Sequence, residues 1–264
     1  MSTHHAKKRF GQNFLHDTSV IERIIRSINP LPTDNLIEIG PGLGALTAPL
    51  LSKLGHLRVI ELDRDVIPHL RKNCGDHPHL EIIMADALKV DYGSLAPADT
   101  KLRVIGNLPY NISTPILFHL LNFSDRIRDM HFMLQKEVVD RMAATPGDEA
   151  YGRLTVSLAA RTEVKKLFTV GPGAFQPAPK VDSAIVRLTP RPPSFEIVDA
   201  KLFDQIVSAA FSQRRKTLSN GLKHLMTAKQ IEAAGIEPGI RAERLSAAEF
   251  ARLTAVAHRE LMNK

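Results

Sequence analysis

The chain has 264 residues, 44% of them hydrophobic and 24% charged, with one cysteine and a formal net charge of +7. Ordinary composition at this length fits one large soluble domain, or one with a smaller companion, and no apolar run approaches the roughly 20 residues of a membrane span. A single cysteine, Cys74, excludes an intrachain disulfide and a cysteine-based zinc cluster; as a small semi-buried filler it needs no role.

The basic N-terminus, MSTHHAKKRFGQNFLHD, lacks the apolar core of a signal peptide, and a cytoplasmic location is expected. The charge is uneven. Residues 31–190 sum to zero, residues 1–30 carry +3 and residues 191–264 carry +4. Positive charge gathered at both ends suits a polyanion such as nucleic acid; two solvated faces explain it equally well.

Residues 17–30, DTSVIERIIRSINP, predict an amphipathic helix capped by Asp17 or Thr18, with Val20, Ile21, Ile24, Ile25 and Ile28 on one face. Strands are expected at 36–40, 57–63, 80–86, 102–107 and 130–135, alternating with helices at 43–55, 65–74, 113–122 and 136–144. Continuous apolar strands alternating with helices indicate a parallel sheet covered on both faces. EVKKLFTV and SAIVRLTP add two strands around the loop 171–182. TPRPPS (189–194) reads as an extended connector. The boundary is therefore set at 190, with a helical domain over 191–264 and an α/β domain over 1–190 that includes the N-terminal arm and helix of 1–30.

The glycine loop after the first strand, Gly40-Pro41-Gly42-Leu43-Gly44-Ala45, lets the backbone turn tightly against a ligand. Glu61 ends the next strand at the spacing of a carboxylate that accepts from ribose hydroxyls. The pattern also satisfies G-x-G-x-x-A, so a nicotinamide dinucleotide is a rival ligand, and a tight turn with no ligand is a third reading. Asp86 ends the third strand, where it can accept from an adenine amine or merely cap a turn. Asn107 ends the fourth and completes a crescent at the carboxyl edge of the sheet, where open α/β sheets bind ligands.

Asn107-Leu108-Pro109-Tyr110 is an unusual strand exit. The Asn107 amide oxygen and the Leu108 carbonyl, rigidified by Pro109, offer two acceptors that match an exocyclic amino group. Tyr110 offers a face for stacking a base, and Phe175 can cover the other. An Asx-type turn with a core tyrosine is the structural alternative. Near the N-terminus, Gln12 and Asn13 lie between Phe10 and Phe14, placed either to fold onto a ligand or to pack two aromatics. Arg214, Arg215 and Lys216 stand at an expected helix start, with Lys216, Asn220 and Lys223 on one face and Leu218, Leu222 and Leu225 on another. Such a stripe binds RNA phosphates or is simply solvated.

KRFGQNFL, EIGPGLGALT, VIELDRD, ADAL, GNLPYNIS, FQPAPKVDSA and FSQRRKTLSN occur in this order. From residue 7 onward the chain resembles the bacterial small-subunit ribosomal RNA adenine dimethyltransferase family. Leu108 stands where the DNA adenine methyltransferases have proline; leucine is usual in the rRNA family.

The resemblance implies a Rossmann-like methyltransferase sheet with a final antiparallel hairpin, a small all-helical C-terminal domain, and S-adenosyl-L-methionine as methyl donor without a metal. It implies N6,N6-dimethylation of two adjacent adenines in the 3′-terminal hairpin of 16S rRNA in the small ribosomal subunit, and a part in ribosome biogenesis. Asn13 and Leu15, with neighbouring Gln12, would contact the donor from the arm. Gly40 and Gly42 would line its methionine portion, Glu61 would hold the ribose and Asp86 the adenine amine, with Asn107 near both donor and target. No membrane partner is implied and a monomer is expected. The rivals are an Erm-type 23S rRNA dimethyltransferase, a non-catalytic assembly factor and an NAD-dependent dehydrogenase. The stretches YGRLTVSLAARTEVKKLF and FQPAPKVDSAIVRL favour the small-subunit enzyme over the Erm type.

Overall fold

The structure, a computed structural model, describes residues 13–109, 111–213 and 215–262. Strand β1 (Phe14–Leu15) leads into helix α1 (Thr18–Ile28), where Asp17 caps the first turn by accepting from the Ser19 and Val20 amides. Ile24, Ile25 and Ile28 are buried, each contributing roughly 1.5–3 kcal/mol. Asn29 ends the helix in the left-handed conformation, and Pro30 follows.

The alternation then runs β2 (Asn35–Ile39), α2 (Thr47–Leu51), β3 (Leu57–Glu61), α3 (Ile67–Asn73), β4 (Leu80–Met84), β5 (Leu102–Asn107), α4 (Ser113–Leu121), β6 (Ile127–Gln135) and α5 (Lys136–Met142). After α6 (Arg153–Ala159) come β7 (Thr162–Val170), β8 (Phe175–Gln176) and β9 (Ser183–Pro190). Helices α7 (Ala200–Ala210), α8 (Leu218–Leu222), α9 (Ala228–Ala233) and α10 (Ala247–Met262) complete the chain.

Among the described residues, seven strands form one sheet in the order β4-β3-β2-β5-β6-β9-β7. The first five pair in parallel, and β9 lies antiparallel on β6. The chain winds outward from β2 through β3 and β4, then returns to β5 on the other side of β2. The crevice between the carboxyl ends of β2 and β5 is therefore the topological switch point, the favoured ligand position in such sheets. Gly106 allows the close approach there, since a Cβ on it would lie 2.6 Å from the Ile39 carbonyl oxygen.

Contacts divide the chain into two units, one comprising 165–190 with the residues up to 139, the other 140–164 with the residues from 191 onward. The proline-rich connector begins at one of the crossings. The sequence reading drew a single boundary at 190 and missed α6. Tyr151, Val156 and Ala160 bury their apolar surface among Phe203, Ile206 and Phe250, which places that segment in the second unit. The Tyr151 hydroxyl also donates to the Leu245 carbonyl at 2.7 Å.

Two other expectations differ. The helix expected over 43–55 is confined to Thr47–Leu51, because Gly42 and Gly44 have positive φ and hold 42–46 in turns. The helix expected from Arg215 begins only at Leu218, and the buried set is Leu218, Leu222 and Met226, with Leu225 exposed.

At the amino edge of the sheet, Arg103 of β5 is buried. Its guanidinium meets Asp34 at 2.7 Å and Asp129 at 2.9 Å, and donates to the Ile28 carbonyl at 2.6 Å. Burial alone would raise the Asp129 pKa, but the Arg103 bonds and charge hold it well below the usual carboxylate range. His131, whose Nδ1 lies 3.6 Å from Asp129 Oδ1, lowers it as well. Replacing Arg103 by methionine leaves two buried carboxylates without their main partner. We predict that unfolding free energy falls by about 3–5 kcal/mol in denaturant titrations; a loss below 1 kcal/mol would show the cluster to be incidental.

Candidate active site

The carboxyl ends of β2, β3, β4 and β5 open into a cavity of about 180 Å³. Its floor is the glycine loop. Gly40 and Gly42 sit at φ +66° and +55°, a backbone region disfavoured for residues with a Cβ. The Phe14 ring packs so closely over Gly42 that a Cβ there would meet it at 3.3 Å. The arm thus closes one wall. Phe14 pairs with Gln176 and Leu15 with Phe175, in a two-stranded ladder of β1 and β8.

The ends of the strands supply carboxylates. Glu61 is buried, and its Oε1 accepts from the Asp63 amide at 2.8 Å. Burial pushes its pKa up, as does the Asp63 charge, against lowering by the Asp63, Leu62 and Gly42 amides. Asp86 is partly exposed and accepts from the Leu88 amide at 3.0 Å. Glu38, inside β2, is only 2% exposed and takes a 2.6 Å hydrogen bond from the Thr47 hydroxyl. Burial, with the nearby Glu61 charge, pushes its pKa up to about 7 despite the Thr47 bond.

Among the described residues, none that lines the cavity is lysine, arginine or histidine. The Lys89 ammonium lies 4.0 Å from Asp86 but is 82% exposed, where water screens it. The cavity therefore favours a cation and opposes an anion.

At the lip, Asn107 Nδ2 donates to the Asn13 carbonyl at 3.3 Å, which turns Oδ1 away as a free acceptor. The Leu108 amide donates to the Met133 carbonyl at 3.2 Å, which fixes the peptide before Pro109. Among the described residues, neither Asn107 Oδ1 nor the Leu108 carbonyl accepts a hydrogen bond. Two acceptors thus stand side by side above a cation-favouring cavity.

Asn13, Leu15, Gly40, Gly42, Glu61, Asp86, Asn107, Leu108, Pro109 and Phe175 all line this one cavity. Gln12, Tyr110 and Arg214 lie outside the described residues. Arg215, Lys216 and Lys223 are exposed, but Arg215 and Lys216 precede α8, and Lys223 is its C-cap. They do not form the helical stripe expected, and a five-residue helix gives no dipole argument for an anion. Sequence reasoning gave no role to Glu38, whose signal is an acid inside an otherwise apolar strand, or to Asn111, Leu62 and Ile112 on the cavity wall. Among the described residues no cluster of His, Cys, Asp or Glu is arranged to hold a metal, and no helix is long and apolar enough to cross a membrane.

Residues 3–258 match the family described as ribosomal RNA adenine dimethylase. A protein named ribosomal RNA small subunit methyltransferase A from Hahella chejuensis is 56% identical over 251 residues, spanning 95% of this chain and 92% of its own. One of the same name from Pseudomonas aeruginosa is 55% identical, over 95% and 94%. Among solved structures, a dimethyladenosine transferase from Plasmodium falciparum is similar at TM-score 0.78 and 27% identity, over 93% of this chain and 98% of that one. The 23S rRNA methyltransferase ErmE gives TM-score 0.71 and 27% identity, over 93% and 100%.

The buried Glu38 predicts a pH-dependent stability. Its folded pKa lies above the ordinary value of 4.5, so the stability supplied by its protonated form is complete below about pH 4.5 and is lost as pH rises to about 7. Glu38→Gln removes this loss. The Tm difference between variant and wild type is expected to shift in the variant's favour between pH 5 and 8, as measured by calorimetry without ligand; a constant difference would refute it.

Proposed function

The chain belongs to the ribosomal RNA adenine dimethylase family, and on that premise we propose that it dimethylates N6 of two adjacent adenines near the 3′ end of small-subunit rRNA, with S-adenosyl-L-methionine as donor. The observation that carries the reading is a pair of acceptors, Asn107 Oδ1 and the Leu108 carbonyl, that no described residue engages, above a cavity whose described lining has carboxylates and no cation. The donor fits that lining by net charge: its amino-acid end is a zwitterion, its sulfonium leaves it singly positive, and when bound it supplies an electrophilic methyl. Gly40 and Gly42 let the backbone approach its methionine part, Glu61 accepts from its ribose, Asp86 accepts from its adenine amine, and Asn13 and Leu15 cover it.

The target amine is a poor nucleophile because its lone pair is delocalised into the purine. Asn107 and the Leu108 carbonyl accept its two N–H bonds, draw the nitrogen toward tetrahedral geometry and turn its lone pair toward the donor. This is catalysis by orientation and fixed dipoles rather than by a titrating base. Phe175 covers one face of the extruded base and Tyr110 is placed by sequence to cover the other. The second methylation proceeds with one N–H and therefore one fewer acceptor contact.

The second unit is assigned to rRNA. Arg215, Lys216 and Lys223 are exposed on a segment anchored by buried Leu218 and Leu222, and exposed cations on a fixed scaffold suit phosphates. Small-subunit rRNA is preferred to large because relatives above 50% identity carry the small-subunit name, whereas ErmE stands at 27%.

Labelled donor offered to unmethylated small and large subunits tests the reading, with products mapped by digestion and mass spectrometry. Label on adjacent adenines of the small subunit is expected; label on the large subunit alone points to the Erm-type activity. Asn107→Ala is expected to lower turnover by at least about 100-fold while donor affinity changes far less, and near-wild-type turnover would remove Asn107 from the mechanism. Changing Arg215 and Lys216 to alanine should weaken subunit binding and reduce the slope of log affinity against log salt by about one per lost phosphate contact. An unchanged slope would make these residues ordinary solvated charge.

A further inference from the structure

Glu38 shares the cavity but has no part in the chemistry just described. It interrupts the apolar run Leu36, Ile37 and Ile39, is almost wholly buried, and lies deep beside the glycine loop. The groups that face it are Thr47 from α2, Glu61 from β3 and the Cys74 thiol after α3, itself pushed up to about 11 by burial and by the Glu38 charge. Asn107, from β5, is uncharged. Among the described residues, none of the groups that face Glu38 is a cation. A carboxylate held here without a counter-charge is disfavoured by its lost hydration, and a protonated carboxyl avoids that cost. Glu38 is thus a buried acid on the cavity wall that meets no cation among the described residues.

We propose that Glu38 senses the positive charge of the methyl donor: it carries a proton in the empty cavity, releases it to solvent as the cationic donor enters, and so favours the sulfonium donor over its neutral thioether product. The inference rests on the proposed cofactor. The proton balance closes over a cycle. Glu38–COOH becomes Glu38–COO⁻ and one proton enters solvent when the donor binds. Methyl transfer forms the N–CH3 bond, breaks the S–CH3 bond and leaves a neutral thioether; the amine's proton goes to solvent. With the sulfonium charge gone the carboxylate loses a partner and takes a proton back, which weakens product binding relative to donor. Thr47 sets the balance point, since its hydroxyl donates to the ionised form.

Calorimetric titration of the full-length protein with S-adenosylmethionine and with S-adenosylhomocysteine, at pH 7 in phosphate and in Tris, reads the protons released. Wild type should release a fraction of a proton with the donor and less with the product, and donor affinity should fall as pH drops from 7, by at most about tenfold per unit. Glu38→Gln should bind the donor with a buffer-independent enthalpy, a flatter affinity profile between pH 6 and 8, and a narrowed preference for donor over product. Thr47→Val, a milder change, should move the pH midpoint of binding upward. Wild-type proton release in Glu38→Gln would assign the proton to another carboxylate and overturn the proposal, as would a buffer-independent enthalpy or equal release for the two ligands in wild type. Failure of the wild type to bind either ligand would overturn the cofactor assignment instead.

Discussion

The two ends of the parallel sheet treat buried charge in opposite ways. At the amino edge Arg103 is neutralised within the fold by Asp34 and Asp129. At the carboxyl edge Glu38, Glu61 and Asp86 surround a cavity with no cation among the described residues of its lining. Burying a charge is costly unless it is paired, so at one end the charges neutralise one another within the fold, and at the other burial raises the pKa of Glu38 and Glu61. β5 joins the two: Arg103 is its second residue and Asn107 its last. Arg103 grips the C-terminal end of α1 through the Ile28 carbonyl, and Asn107 grips the arm before α1 through the Asn13 carbonyl. One strand thereby holds α1 and its arm from both ends.

The same strand explains why stretches far apart in sequence meet. Gly106 admits the Ile39 carbonyl to a distance no side chain would allow, which draws the ends of β2 and β5 together at the switch point. Asn107 then faces the glycine loop across the crevice. The arm seals the opposite wall because Leu15 pairs with Phe175. Asn107 donates through Nδ2 to a backbone carbonyl, so its oxygen is left for the cavity. An aspartate could not make that donation, and a leucine would offer neither group. The side chain is fixed by one half of its amide and works with the other.

Much of this was readable in the residues. The central strands are continuous apolar runs, and the parallel sheet follows from their alternation with helices. The acids at strand ends and the Asn-Leu-Pro-Tyr exit named the carboxyl edge as the site. What was not readable depended on non-local packing. Helix α6 was missed because Thr, Val and Ser are mixed through Arg153–Ala159, and its place is fixed by burial against Phe203, Ile206 and Phe250 of the second unit. The start of α8 was set too early because the basic run was read as its first turn, whereas Leu218 is the first residue its packing requires. Glu38 was visible as a letter but not as a problem. Only its burial without a counter-charge makes it one.

The cavity's charge also restricts what form of RNA can react. A polyanionic backbone is repelled by three carboxylates, whereas a neutral base is not. On the proposed reading the phosphates must stay outside while a single adenine enters, which makes extrusion of the base a requirement of the electrostatics as much as of reach. The affinity for RNA then has to come from cations elsewhere on the chain. The sequence provides them outside its neutral centre, +3 over residues 1–30 and +4 over residues 191–264. On the proposed reading the acidic chamber and the basic ends divide the work: the first favours the cationic donor, the second supplies affinity for a polyanion.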